Sequence, residues 1–372
     1  MQIRRIDTTS AHDVRRFIGV PFELYRACPQ WVPAFLPDMR LALDRVRHPF
    51  YRHSDADFYV AENGNRALGR IAVIDNHNYN AHHGRRDGFF YYFESVDDAQ
   101  VARDLFDAAL EWARGRGLTR LIGPKGLLTG DGLGLLVDGF QHRPALGIPY
   151  NHPYYAEMLR ASGFEKETDY LSGHLSGTHQ LSARFDAIAE RVKKQRGLEV
   201  RSFTSKRELR RLLPQVTLVY NRAFADNWEF CPVTEAEVDV FADRLEAIAD
   251  PRLIKLVMKG EQIVGFILAY PDISSAIQRT GGRIWPFGWI AVLREFKRTK
   301  VVNLNGVGLI EGFRGAGANT LLYTDVARSI HASGYEYAEV VQVEEKNNAS
   351  LRDMAAIGVT WHKRHRIYGR TV

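Results

Sequence analysis

The sequence predicts an α/β protein made of two tandem copies of one plan, each a mixed central sheet flanked by helices. Three observations carry this. Strand-like and helix-like patterns recur in the order β, α, β, β, β, α, β, α, β, the alternation that builds sheets covered by helices. Asn151-His152-Pro153-Tyr154-Tyr155, a helical stretch and Gly163-Phe164 are echoed by Asn347-Asn348-Ala349-Ser350-Leu351, another helical stretch and Gly358. The length, 372 residues, suits two domains better than one.

The elements follow in order. In the first copy, strand patterns fall at Ile3–Ile6, Asp57–Glu62, Ala67–Asp75, Phe89–Glu94, Arg120–Ile122 and Tyr170–Leu175, where β-branched and aromatic residues gather. Helical spacing marks Ala11–Ala27, Ala99–Arg116 and Tyr154–Ala161. Asp97 and Asp98 cap the second of these helices. A polar boundary at Ser176-Gly177-Thr178-His179-Gln180 divides the chain into 1–176 and 177–372. A linking helix, Ala183–Arg196, leads into the second copy. There, strands are expected near Glu199–Phe203, Arg252–Lys259, Gln262–Tyr270, Val301–Ile310 and Tyr337–Val343. Helices are expected at Lys206–Phe224, Glu235–Ala249, Asn319–Ser333, which Gly334 stops, and Ser350–Ile357. A basic-aromatic strand, Lys363–Arg370, closes the chain.

Composition narrows the function classes. Apolar residues make up 45%, enough for packed cores, and the net charge of +6 suits an anionic partner. Cys28 and Cys231 are far apart and lack a metal spacing, so no zinc site or disulfide framework is implied and a reducing cytoplasm fits. No metal is expected. The charged start, MQIRRIDTTSAHDVRRF, lacks the apolar core of a signal peptide. No apolar run is long enough to span a bilayer as a helix.

The stretch most suggestive of chemistry is 307–328, in which a strand runs through Glu311-Gly312-Phe313-Arg314-Gly315-Ala316-Gly317-Ala318 into a long helix. Glycines let the backbone approach a ligand closely. The helix start presents free N–H groups and a positive dipole end. Arg314 adds a guanidinium suited to phosphate oxygens. The combination describes a diphosphate site. In the first copy the strand Phe89–Glu94 leads directly into Ser95-Val96-Asp97-Asp98, whose carboxylates would repel a diphosphate. The first copy is therefore read as degenerate. Gly123–Gly139, with six glycines, has the length and composition of a functional loop.

Arg314-Gly315-Ala316-Gly317-Ala318 after a strand resembles the acyl-CoA loop, Q/R-x-x-G-x-G/A, of the GNAT N-acyltransferases, although Glu311 stands where Gln or Arg is common. Asn347 and Gly358 keep the spacing of the family's next element, with Val359 replacing its Phe. The resemblance implies two tandem GNAT folds and acyl-CoA as co-substrate. It implies cofactor contacts from Val307, Gly308, Leu309, Phe313, Arg314 and Gly315. Ala316, Gly317, Ala318, Asn319 and Asn347 complete that set. It also implies that the strand Asn303–Ile310 splays to admit the pantetheine arm, with a backbone N–H near Gly308 or Leu309 polarising the thioester carbonyl. Many relatives use a Tyr on the last helix as general acid, and counting from Asn347 that position holds Met354. Tyr368, Tyr323 and His365 are the substitutes, Tyr368 foremost because it lies on the closing strand, and Glu344 with Glu345 lies where a base could sit.

An insertion at about 271–300 separates two strands that usually form a short hairpin. Ile284 to Leu293 is uncharged and holds Trp285, Phe287 and Trp289; Arg294, Lys297, Arg298 and Lys300 follow, with Glu295 the only acid. This pattern suits an interfacial segment, the rim of a lipid-sized pocket, or a lid packed on the first copy. The runs Asn221-Arg222-Ala223-Phe224, Asn227-Trp228, Trp285-Pro286-Phe287-Gly288 and Tyr368-Gly369-Arg370 are similar to bacterial tandem-GNAT proteins, some of which look like bacterial ceramide synthases. That resemblance implies long-chain acyl transfer to the amine of a sphingoid-type lipid. Trp228, Trp285, Phe287 and Trp289 are then the substrate-binding residues. The aromatic-basic pattern of the insertion fits a cytoplasmic protein in peripheral contact with an anionic inner membrane face. An acetyltransferase of a small soluble amine and a Fem-type aminoacyl-tRNA-dependent transferase are the alternatives. The absence of a long basic run speaks against tRNA, and no nucleic-acid partner is expected.

Overall fold

The computed structural model describes residues 1–176, 181–228, 230–315 and 317–372. The first part of the chain contributes β1 (Gln2–Arg5), α1 (Ala11–Leu24), α2 (Leu36–Leu43), β2 (Asp55–Asn63), β3 (Arg66–Asp75), α3 (His77–His83) and β4 (Asp87–Ser95). It continues with α4 (Ala99–Gly115), β5 (Arg120–Gly123), β6 (Leu135–Asp138), α5 (Tyr155–Ala161), β7 (Glu165–Ser176) and α6 (Ala183–Arg196). There follow β8 (Leu198–Ser202), α7 (Lys206–Ala223), α8 (Glu235–Ile248), β9 (Lys255–Lys259), β10 (Gln262–Pro271), α9 (Ser274–Thr280) and α10 (Gly288–Arg298). The last elements are β11 (Val301–Leu309), α11 (Ala318–Ala332), β12 (Tyr337–Glu344), α12 (Asn348–Ile357) and β13 (Thr360–Thr371).

The strands form one mixed sheet in the order β1-β2-β3-β4-β5-β13-β7-β12-β11-β10-β9-β8, with β6 also pairing β13. The two copies therefore exchange their last strands. β13 lies against β5, with Tyr368 opposite Gly123, and β7 lies against β12, with Gly173 opposite Val340. Side chains alternate across a strand, so β13 feeds the first copy's core on both faces. Ile367 joins the cluster of Phe17, Phe58 and Phe89, while Tyr368 joins that of Phe90, Phe106 and Tyr155. The second copy keeps its own core between α7, α11 and the sheet.

Ionic groups hold the exchanged strands in register. Asp169 on β7 is fully buried and binds Arg366 (2.8 Å), Arg364 (3.0 Å) and Lys166 (3.0 Å). Glu339 on β12 meets Lys363 (2.7 Å) and His362 (3.0 Å) of β13.

Several sequence expectations change in detail. β7 and β13 are longer than the sequence pattern indicates, because each finds a full-length partner in the other. α1 stops at Leu24, past the internal Pro21. α2, α3, α9 and α10 are additional. In α10 the spacing of Trp289, Val292, Leu293 and Phe296 is that of one helix stripe, which the dense apolar composition of the segment masks. Of the expected polar boundary, 177–180 lies outside the described residues.

Candidate functional site

The site begins where two strands part. β11 and β12 run parallel from Val301 opposite Tyr337 to Leu304 opposite Val340, and no further β11–β12 pair follows among the described residues. Beyond that point β11 stays with β10 as far as Leu309, and β12 stays with β7 as far as Glu344. A register shift between Ile267 and Ala269 of β10 marks the bend, and Gly306 on β11 takes the left-handed φ of 96° that the bend needs. A wedge between Asn305–Leu309 and Val341–Glu344 results. Its two facing backbone edges suit an extended, amide-bearing ligand that pairs as a strand would.

Gly308 lies on this edge for a steric reason. A Cβ there would meet the Phe266 ring at 2.8 Å and the Phe224 ring at 3.0 Å. Gly308→Ala should lower stability by roughly 1–3 kcal/mol through overpacking, and it should weaken ligand binding as the strand moves. Thermal melts with and without ligand check both effects.

At the end of β11 the chain turns through 310–317 into α11. Gly312, Gly315 and Gly317 have φ of 85°, 66° and 80°, values that side chains disfavour. Gly317 is the N-cap of α11, and a Cβ on it would meet Val192 of α6 at 2.7 Å. Arg314 holds the loop down. Its Nε donates to the Leu309 carbonyl (3.1 Å) and its Nη2 to the Ala223 carbonyl (2.6 Å) at the C-terminus of α7, where a cation is favoured. The side chain remains half exposed, with Asp226 3.7 Å away. Phe313 packs on the second copy's core and Ala318 is fully buried. Asn319 donates to Asp353 of α12 (2.6 Å), which also meets the Tyr323 hydroxyl (3.4 Å). Asn347 caps α12 by accepting from the Ser350 N–H (3.0 Å). Ala316 lies outside the described residues.

Of the expected cofactor-binding residues, the structure thus places Val307, Gly308, Leu309, Phe313, Arg314, Gly315, Gly317, Ala318 and Asn319 at one end of β11, with α12 alongside. It does not bring the candidate catalytic residues Glu344, Tyr368 and His365 to that place together. Glu344 ends β12 at the wedge and accepts from the Thr168 hydroxyl (3.2 Å). Tyr368 and His365 lie on β13, three strand spacings or roughly 14 Å from β11. Tyr368 is 1% exposed within the first copy's core, and His365 is fully buried with Nε2 3.0 Å from the Pro149 carbonyl. Met354 packs in the second copy's core. Trp228 packs against the first copy's core, 6.0 Å from the Lys125 ammonium, whereas Trp285, Phe287 and Trp289 stand exposed on the insertion.

Burial pushes the His365 imidazole down to about 4, and His48, also buried, falls to about 4 for the same reason. Both are neutral in the fold, and their folded pKa lies below the usual value near 6.5. Their stabilising contribution is therefore complete above about pH 6.5 and is lost as pH falls through about 4. The melting temperature should drop across that window, with up to about 3 kcal/mol at stake per imidazole. His365→Asn should shrink the drop in a pH series of thermal melts.

The first copy repeats the splay and then fills it. β4 and β5 pair only from Asp87 opposite Arg120 to Phe89 opposite Ile122. Tyr92, with φ of 50°, bends β4 as Gly306 bends β11. The glycine-rich segment enters this gap, where the Lys125 N–H donates to the Phe90 carbonyl (2.9 Å). The Tyr155 hydroxyl accepts from the Ser95 N–H at the strand's end (3.0 Å) and donates to Glu94 (2.9 Å). Val96-Asp97-Asp98 alone then leads to α4, and Asp98 caps it by accepting from the Gln100 N–H (2.8 Å).

The same segment reaches the second wedge. Gln342 on β12, at a left-handed φ of 50°, donates to the Leu133 carbonyl (2.6 Å). Asp131 binds Arg244 of α8 (2.8 Å). Leu128 and Thr129 then line a narrow cleft of about 40 Å³ with Tyr220, Glu237, Phe266 and Leu268, beside the bend in β10. Glu237 meets His53 at 3.2 Å. The capping-box spacing Thr234–Glu237 is visible in the sequence, but its partner His53 comes from the other copy.

No family model matches the chain. A solved tandem GNAT protein from the clavulanic acid biosynthesis pathway superposes with a TM-score of 0.57 at 14% identity, covering 100% of this chain and 98% of that one. The fold is a tandem GNAT fold. Among curated proteins, the bacterial ceramide synthase of Caulobacter vibrioides (strain NA1000 / CB15N) is 29% identical over 373 aligned residues, covering 97% of this chain and 95% of that one. Protein YghO of Escherichia coli (strain K12) is 27% identical over 370, covering 97% and 93%.

Proposed function

We propose that the chain is an acyl-CoA-dependent N-acyltransferase. The observation that carries the reading is the β11–β12 wedge ending in a glycine loop at the N-terminus of α11. The wedge suits the amide-bearing pantetheine arm, and the loop N–H groups suit the diphosphate. Arg314 would fix the loop and share its charge with the phosphates. We assign this site to the second copy, 177–372, because the first copy's gap is filled by its own chain.

In the reaction, a neutral amine attacks the thioester carbon. A backbone N–H at Gly308 or Leu309 stabilises the developing oxyanion. The C–S bond then breaks, the amide is released, and the proton lost by nitrogen balances the departing thiolate. Glu344, at the mouth of the wedge, is the group we assign to accept that proton. Tyr368 and His365, inside β13, are given no step.

For the acceptor we propose the amine of a long-chain, sphingoid-type lipid. The name of the Caulobacter relative and the aromatic insertion support this. The test is mass spectrometry of products from purified protein given a long-chain acyl-CoA with a long-chain amino alcohol, and acetyl-CoA with small amines. The long-chain amide with stoichiometric CoA release is expected. Amide formed only from acetyl-CoA and a soluble amine would overturn the lipid assignment.

A further inference from the structure

The insertion has a seat and an uncovered face. α9 is fastened to the first copy: Gln278 donates to the Pro29 and Trp31 carbonyls (both 2.8 Å), and the Gly282 carbonyl accepts from the Leu36 N–H (3.0 Å). α10 packs Val292 and Phe296 against Tyr270, Ile273 and Ile277. Its apolar stripe is wider than that seat. Trp289 and Leu293, one turn apart, remain 44% and 53% exposed, and Trp285 and Phe287 just before the helix remain 78% and 74% exposed. The other large exposed apolar residues, such as Val46 and Leu218, lie in separate segments. Grouped aromatic exposure of this kind marks a binding surface.

The charge around the patch has one sign. The segment 279–300 contains six Lys and Arg residues and one acid, Glu295, and Arg279 already neutralises that acid at 2.5 Å. Arg283, Arg294, Lys297 and Arg298 are exposed. No helix of the described residues is long and apolar enough to cross a membrane. A helix seated on the protein, with indoles on one flank and cations on the next, matches the interfacial class, in which aromatics enter the headgroup boundary and basic side chains meet anionic lipid.

We propose that 285–298 is a monotopic docking element that lays this face of the protein on an anionic bilayer. The proposal goes beyond the assigned reaction and does not depend on it. It also gives the two parts of the insertion separate tasks: α9 grips the first copy, and α10 with the preceding loop meets the lipid.

Vesicle flotation of the full chain tests this. Wild type should float with vesicles rich in phosphatidylglycerol, weakly with phosphatidylcholine alone, and less as salt rises. Trp285→Ala with Phe287→Ala and Trp289→Ala should weaken binding by roughly tenfold or more. Arg294→Gln with Lys297→Gln and Arg298→Gln should do the same and remove the salt dependence. These side chains are largely exposed, so melting temperatures should stay near wild type, which separates lost docking from lost fold. Wild type that fails to float, or variants that float as wild type does, would overturn the proposal. So would sedimentation showing a dimer that the aromatic variant dissociates, since a second copy would then cover the patch. Amide formation from detergent-dispersed substrates is a separate readout, so failure here and failure of the proposed reaction remain distinguishable.

Discussion

Replacing Arg314 by Glu should abolish measurable acyl-CoA binding, with a loss of at least about a hundredfold in affinity. The effect has two parts. The guanidinium now donates to the Leu309 and Ala223 carbonyls, and a carboxylate in its place would face both oxygens with no proton to offer. The loop would lift from β11 and from the end of α7. The same carboxylate would also stand where the diphosphate is expected, turning attraction into repulsion. Arg314→Lys restores charge but not the two-pronged geometry, so it should recover only part of the affinity. Calorimetric titration of both variants checks the order. Losing these two hydrogen bonds should lower the melting temperature by roughly a few degrees and no more, because the side chain is half exposed.

Replacing Asp169 by Ala should cost roughly 3 kcal/mol of stability. Asp169 is the fully buried anion at the exchanged strands, and its removal leaves Arg366, Arg364 and Lys166 without it. These cations are 27%, 41% and 38% exposed, so they can turn partly to water, which keeps the cost at the low end for a buried pair. Burial alone would raise the Asp169 carboxyl. The hydrogen bonds from Arg366, Lys166 and Arg364 outweigh it and hold the group at about 2. A carboxyl depressed in the fold stabilises fully above its unfolded value near 4 and loses that contribution as pH falls through about 2. Wild type should therefore lose about 2 kcal/mol in this acid window through Asp169, and the Ala variant should lack that limb. Denaturant melts at stepped pH measure it.

Local pattern made most of this fold legible. Each strand and long helix that buries one face leaves a period of two or of 3.6 in the sequence, which is why β2, β3, β10, α4, α7 and α11 lie within a few residues of expectation. The loop at 310–317 was legible because its glycines perform a backbone task that other residues perform badly.

What escaped depends on distance along the chain. The exchange of β7 and β13 is a choice between partners with equally good patterns, and the contacts that join these strands, such as Asp169–Arg366, link residues 197 apart in the chain. The filling of the first wedge by the glycine-rich segment is likewise a pairing between Lys125 and Phe90 that neither residue announces. Tyr368 illustrates the consequence. As an aromatic on a closing strand it reads as a candidate acid, yet strand exchange places it in the first copy's core. His53 and Glu237 show the converse, since their contact arises only when the copies meet.

The central claim is that one splayed strand pair, in the second copy, holds acyl-CoA. Calorimetric titration of the wild-type chain with a long-chain acyl-CoA below its micelle-forming concentration tests it most directly. One site per chain, lost in Arg314→Glu and retained when Asp97 and Asp98 are both changed to Ala, is the expected result. Two equivalent sites per chain, or binding that survives charge reversal at Arg314, would contradict it.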